Sequence, residues 1–171
     1  NNTVKVLCDG SLVIAAPLLT NVRNFRDLPP AAGESKTAGI QVATTEPTEQ
    51  QKCDLLAAWY INISVRSNGV VIVKDGQTLA VGTGEQDRVG AVEQAIEKFK
   101  QKYTGSATLE GAVMSSDGFF PFADGLEVAA AAGIKAMVAP SGSLKDADVI
   151  KRANELGVAL RHAPERIFSH H

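Results

Sequence analysis

Apolar positions along this chain change period several times, and each change marks an element. Leu12-Val13-Ile14 is a short continuous apolar run and Ile40-Gln41-Val42-Ala43-Thr44 alternates, so both read as strands. They lie in an extended, loosely built stretch, residues 1–46, that is expected to pack on the domain as a lead-in. Between them, Pro29-Pro30-Ala31-Ala32-Gly33-Glu34-Ser35 has the composition of a surface loop. Pro47-Thr48-Glu49-Gln50-Gln51 then signals a helix start, with Thr48 as N-cap and Gln51 as its capping-box partner. Leu55, Leu56, Trp59, Tyr60 and Ile63 recur at helical spacing and predict one buried face.

Beyond Ser67-Asn68-Gly69, the run Val70-Val71-Ile72-Val73 predicts a buried strand. Asp75-Gly76 is a turn signal, and Thr78-Leu79-Ala80-Val81 returns as the hairpin partner. Gly82-Thr83-Gly84-Glu85 leads into a second helix whose apolar stripe is Val89, Val92, Ile96, Phe99 and Tyr103. A strand (Ala112 to Met114), an aromatic loop and a helix (Asp124 to Ala132) follow. After them come a strand (Ile134 to Val138), a helix (Lys145 to Leu156) and a last strand (Val158 to Leu160). Ser143 with Asp146 three residues on reads as another cap. Alternating strands and helices of this kind predict a layered α/β sheet with helices on both faces.

Composition narrows the picture. A chain of 171 residues, 44% hydrophobic and 21% charged, is long enough to bury a core without a disulfide or a structural metal. Its net charge of −2 provides no broad basic field, which argues against nucleic-acid and anionic-membrane binding. Any phosphate must therefore be held by a few placed residues. Cys8 and Cys53 have no metal-type spacing and are expected to be free, buried thiols in a reducing compartment. No apolar run approaches a membrane-spanning length and no signal-peptide pattern opens the chain, so a cytoplasmic location is expected.

Four segments fall where strands hand over to loops and helix starts, the places where ligands collect in such sheets. Ser67-Asn68-Gly69 is one, and Gly84-Glu85-Gln86-Asp87-Arg88 another. The Gly82/Gly84 pair also fits a plain tight turn. Arg88 opposes the dipole at a helix start, and holding an anion would explain it. In Ser115-Ser116-Asp117-Gly118-Phe119-Phe120-Pro121-Phe122-Ala123-Asp124, three of the chain's six Phe residues crowd one loop beside carboxylates. Such a loop suits a planar, hydrogen-bonding heterocycle, and it equally suits an aromatic plug at the end of a sheet. The fourth segment, Pro140-Ser141-Gly142-Ser143, is either a helix cap or a ligand clamp. The three histidines, His162, His170 and His171, do not have zinc-site spacing, and the standard hydrolase, deaminase and phosphate-loop motifs are absent.

Taken in order, these motifs resemble the C-terminal half of AICAR transformylases, folate-dependent formyltransferases of purine synthesis often fused to an IMP cyclohydrolase. The resemblance rests on Ser67-Asn68-Gly69-Val70-Val71, Gly82 to Val89, Ser116 to Phe122, Pro140 to Ser143 and Arg166-Ile167-Phe168. It runs from about residue 47 to the end, with Asp9-Gly10-Ser11-Leu12 a weaker match. It implies a cytidine-deaminase-like α/β/α sandwich with a mixed sheet, residues 47–171 forming the second of two such subdomains. It also implies a homodimer with active sites across the subunit interface, and it reads the terminal His170-His171 as native.

By motif match, Asn68, Arg88, Phe119 and Arg166 would contact the AICAR nucleotide, with Asn68 also facing the transferred formyl group as the catalytic residue of this half. Val89, Asp124, Ser143 and Leu144 would contact 10-formyltetrahydrofolate, and Ser67, Asp117 and the backbone of Ile167 a monovalent cation, K+. The family's catalytic Lys-His pair belongs to the first half, and no Lys-His dipeptide occurs here. Without that acid/base pair the chain is expected to bind at most part of the ligands and to turn over negligibly. A fragment lacking its N-terminal half is the expected explanation, with a split enzyme as the alternative. A non-catalytic dimerisation or regulatory module that keeps the motifs is the rival function.

Overall fold

A computed structural model of the chain describes residues 2–17, 19–37 and 39–168. His170 and His171, expected to be native, lie outside the described residues. Among the described residues four α-helices and nine strands alternate largely as the hydrophobic pattern predicts. The central sheet has five strands: β5 (Val70–Lys74), β6 (Gln77–Gly82), β7 (Val113–Ser116), β8 (Ala136–Pro140) and β9 (Ala159–Ala163), in the order β6-β5-β7-β8-β9. β5 is antiparallel to both β6 and β7, whereas β7, β8 and β9 run parallel, so the sheet is mixed.

Both faces of this sheet are covered, which is why its strands read as continuous apolar runs. Helix α1 (Glu49–Asn62) lies on one face, where Leu55, Ala58 and Trp59 meet Val71, Val73, Val113, Ala136 and Val138. Helices α2 (Arg88–Lys102), α3 (Asp124–Ala131) and α4 (Asp146–Leu156) cover the other, against Val70, Ile72, Met114, Met137 and Leu160. Each fully buried Leu, Ile or Met side chain contributes about 1.5–3 kcal/mol. The result is the α/β/α layering expected.

The Thr48 capping box forms in both directions: Gln51 N donates to Thr48 Oγ1 at 3.2 Å and Thr48 N to Gln51 Oε1 at 2.9 Å. The predicted α1 stripe is narrower than its spacing suggests. Tyr60 is largely exposed and sends its hydroxyl to the Val22 carbonyl, while Asp54 and Asn62 are buried on the sheet side. Asp54 belongs there because its carboxylate accepts the Asp75 and Gly76 amides, closing the β5–β6 turn.

Residues 1–46 hold more regular structure than expected. The Pro29–Ser35 stretch is not simply a loop: it contains β3 (Ala32–Ser35), which pairs antiparallel with β4 (Gly39–Val42) against α4. Its Pro30 bridges to Arg161 of β9. β1 (Thr3–Val6) and β2 (Leu12–Ala15) form a separate ribbon, one face of which carries the exposed side chains of Val4, Val6, Leu12 and Ile14.

Two further expectations need correction. Cys8 and Cys53 are free, but both are exposed. Cys8 lies in the β1–β2 turn, and Cys53 precedes the Asp54-Leu55 pair that faces the sheet. Ser143 is not the N-cap of α4, which starts two residues later than that reading requires. Its Oγ accepts from Lys145 N at 3.0 Å, and Asp146 Oδ2 instead accepts from Gly142 N at 2.8 Å.

Candidate functional site

Strand direction gathers the singled-out segments at one edge of the sheet. Val70 pairs with Ser116, so Ser67-Asn68-Gly69 before β5 stands beside the loop after β7. Val70 also pairs with Gly82, so β6 delivers residues 83–87 to the same edge. β8 and β9 run parallel to β7 and add residues 141–145 and 164–168. Carboxyl ends of adjacent parallel strands are where open α/β sheets hold ligands.

Arg88 is the centre of this edge. It opens α2 behind the N-cap Asp87, whose carboxylate accepts from Gly90 N at 2.7 Å. The dipole's objection to a cation there is answered inside the fold, because Arg88 is only 6% exposed and Asp117 is fully buried beside it. Arg88 Nη1 donates to Asp117 Oδ1 at 2.5 Å and to the Gly69 carbonyl at 3.2 Å, and Nη2 donates to Asn68 Oδ1 at 3.0 Å. Asn68 Nδ2 donates to the Glu85 carbonyl at 3.0 Å, so the Asn68 amide is locked in one orientation. Among the described residues Arg88 Nε is buried without a hydrogen-bond partner.

The three loop phenylalanines occupy three different settings. Phe120 is the plug, buried with Leu126 and Met114. Phe122 is exposed and does not line the cleft formed beside it. Phe119 lines a cleft of about 310 Å³ together with Asn68, Gln86, Asp87, Arg88, Pro121 and Phe168. The Arg166 guanidinium lies 4.7 Å from the Phe119 ring centroid and 6.0 Å from that of Phe168, within cation–π range. Gly118 permits this packing: a Cβ there would stand 2.7 Å from Arg88 Nη2 and collide with the Phe168 ring. A Cβ on Gly142 would likewise meet Arg166 Nη2 at 3.2 Å.

Asn68, Arg88, Phe119 and Arg166 are thus assembled in one place. Val89, Asp124, Ser143 and Leu144 do not line that cleft. Val89 is half-buried in the first turn of α2, and Asp124 is exposed at the first residue of α3, its Oδ1 accepting from Gly125 N at 2.7 Å. Ser143 is half-buried, and Leu144 is 94% exposed. They lie next to the cleft, since the position of a Gly125 Cβ is 3.9 Å from Arg88 Cγ and Gly142 adjoins Arg166.

A cation fits less well. Asp117 and Ile167 meet, Ile167 N donating to the Asp117 carbonyl at 3.1 Å, and Ser67 is buried nearby. The Asp117 carboxylate, however, is taken up by Arg88 and by Gly69 N at 3.0 Å. No group of three or more His, Cys, Asp or Glu suited to a metal occurs among the described residues. The Asp117 side chain is already engaged inside the fold.

Sequence reasoning did not assign Gln86, Asp87 or Phe168 to the cleft. Their membership in the Gly82–Val89 and Arg166–Phe168 motifs was the available signal. His162 also went unused. It lies below the site among Phe120, Asp146 and Leu160, and burial lowers its imidazole pKa despite the opposing charge of Asp146. No helix among the described residues is long and apolar enough to cross a membrane.

Comparisons with known proteins agree with the motifs. Residues 22–98 match the family model described as the AICARFT/IMPCHase bienzyme. The bifunctional purine biosynthesis protein PurH of Nostoc punctiforme is 39% identical over 170 residues, covering 99% of this chain and 29% of that protein. Its counterpart in Rippkaea orientalis is 45% identical over 168 residues, 98% of this chain and 29% of that protein. That of Synechococcus sp. strain CC9605 is 46% identical over 124 residues, 72% and 23%. The chain is thus similar along nearly its whole length to PurH proteins, and it spans between a fifth and a third of their length.

Proposed function

We propose that this chain is part of an AICARFT/IMPCHase bienzyme acting in purine biosynthesis, and that its rim binds ligands for folate-dependent formyl transfer to AICAR. The observation that carries this reading is the convergence of Asn68, Arg88, Phe119 and Arg166 from four separate segments on one cleft edge. In this reading Phe119 stacks on the aminoimidazole ring. Arg166 and the edge of Arg88 that lines the cleft give charge-assisted hydrogen bonds to the nucleotide. Asn68, held by Arg88 and Glu85, borders the reacting amine. The adjoining surface of Val89, Asp124, Ser143 and Leu144 receives the folate, which supplies the formyl carbon.

The AICAR amine is a weak nucleophile, so transfer requires proton movement as well as alignment. This chain supplies the alignment. It has no Lys-His dipeptide, and the acid/base pair comes from the N-terminal half of the domain, with active sites across a homodimer interface. The test is calorimetry of AICAR with the full-length protein, wild type and Phe119→Ala, alongside a formyl-transfer assay. The reading predicts binding that Phe119→Ala weakens and turnover that needs both halves. Absence of AICAR binding to the folded wild type, or affinity indifferent to Phe119, overturns it.

A further inference from the structure

Arg166 sits in an irregular segment after β9, where nothing regular fixes its backbone. Its two neighbours do. Ile167 is fully buried with Val22, Leu28 and Trp59, and its amide donates to the Asp117 carbonyl. On the other side, Glu165 Oε1 accepts from the Thr20 hydroxyl and from Asn21 N at 2.8 Å, while Oε2 receives Asn21 Nδ2 at 3.4 Å. The Thr20 hydroxyl is fully committed. Trp59 Nε1 at 2.9 Å and Val22 N at 3.2 Å use both its acceptor positions, so its one proton must go to Glu165. Trp59 is completely buried in α1, which anchors this chain of bonds to the core. With Glu165 and Ile167 both drawn inward, the residue between them projects outward, over Phe119.

We propose that Glu165 is a positioning residue: through Thr20 and Trp59 it fixes the backbone from which Arg166 reaches the nucleotide, making the 20–22 segment part of the site's support. The inference rests on the ligand reading above for its binding readout, though not for its structural one. A side chain held by packed, hydrogen-bonded neighbours loses less freedom on binding, which is the physical content of preorganisation.

The test uses the full-length protein with AICAR in calorimetry. Glu165→Ala should weaken binding about tenfold, the order expected for one displaced charge-assisted hydrogen bond. Glu165→Gln keeps an Oε1 for both Thr20 and Asn21 and should restore near-wild-type affinity. In an Arg166→Ala background Glu165→Ala should change affinity no further. Crystal structures of Glu165→Ala and the wild type read the Arg166–Phe119 stacking without any ligand. An equal loss from Glu165→Ala with or without Arg166, failure of Glu165→Gln to rescue, or unchanged Arg166 stacking in Glu165→Ala would each overturn the proposal. If the wild type does not bind AICAR, the functional reading fails while the stacking comparison still decides the role of Glu165.

Discussion

Breaking the Arg88–Asp117 pair should be among the most costly single changes in this protein. The two side chains are 5% and 0% exposed and meet at 2.5 Å, so neither charge has water to fall back on. Asp117→Asn leaves the guanidinium facing a neutral amide, the Gly69 carbonyl and Asn68 Oδ1, with Nε already unpartnered. Removing one member of a buried pair costs about 3–5 kcal/mol. At roughly 2–4 °C per kcal/mol for a chain of this size, Tm should fall by about 6–20 °C. Arg88→Met alone strands the carboxylate, whereas the double variant leaves no unpaired buried charge. Its loss should fall short of the summed single losses by at least about 1.5 kcal/mol. Thermal and urea denaturation followed by circular dichroism completes the cycle. A loss below about 1 kcal/mol for Asp117→Asn, the scale of a surface ion pair, would refute the burial argument.

Three other outcomes follow from named contacts. Arg88→Lys substitutes a point charge for a fork that spans Asp117, Gly69 and Asn68, and should weaken AICAR binding by about 1.5–3 kcal/mol in calorimetry. Unchanged affinity would remove Arg88 from the site. Gly82→Ala drives a Cβ into the backbone carbonyl of Ala91 and should lower stability by about 3 kcal/mol or more. A wild-type urea midpoint would contradict the β6–α2 packing. Burial holds the His162 pKa below 6.5, so the unfolded chain takes up that proton first, and stability should decline as pH drops through 6.5 toward the folded pKa. His162→Gln should remove that part of the slope, and an identical slope in the variant would show that His162 does not contribute.

Elements with strong local signals were legible before any fold was known. The Thr48 box, the Val70–Val73 run and the Asp75-Gly76 turn each depend on residues only a few positions apart. β3 was not legible, because Ala32–Ser35 is extended only through β4 and its packing against α4. Cys53 was misread because periodicity alone does not say which edge of a helix face meets the sheet. At the candidate site, motif order brought forward Asn68, Arg88, Phe119 and Arg166, which the fold sets side by side. The unfavourable placement of Arg88 at a helix start signalled an anion partner, but not that the partner would be Asp117, 29 positions away. Nothing local joined Glu165 to Thr20, 145 positions apart.

The cleft edge draws on stretches scattered from residue 67 to residue 168, brought level only because β5 opposes β7 while β8 and β9 follow it. In the proposed reading, ligand recognition is therefore a property of the completed sheet. A refolding chain would regain helical signal first and nucleotide affinity last, and a proteolytic nick that frees β9 would abolish recognition while leaving most of the helix content in place.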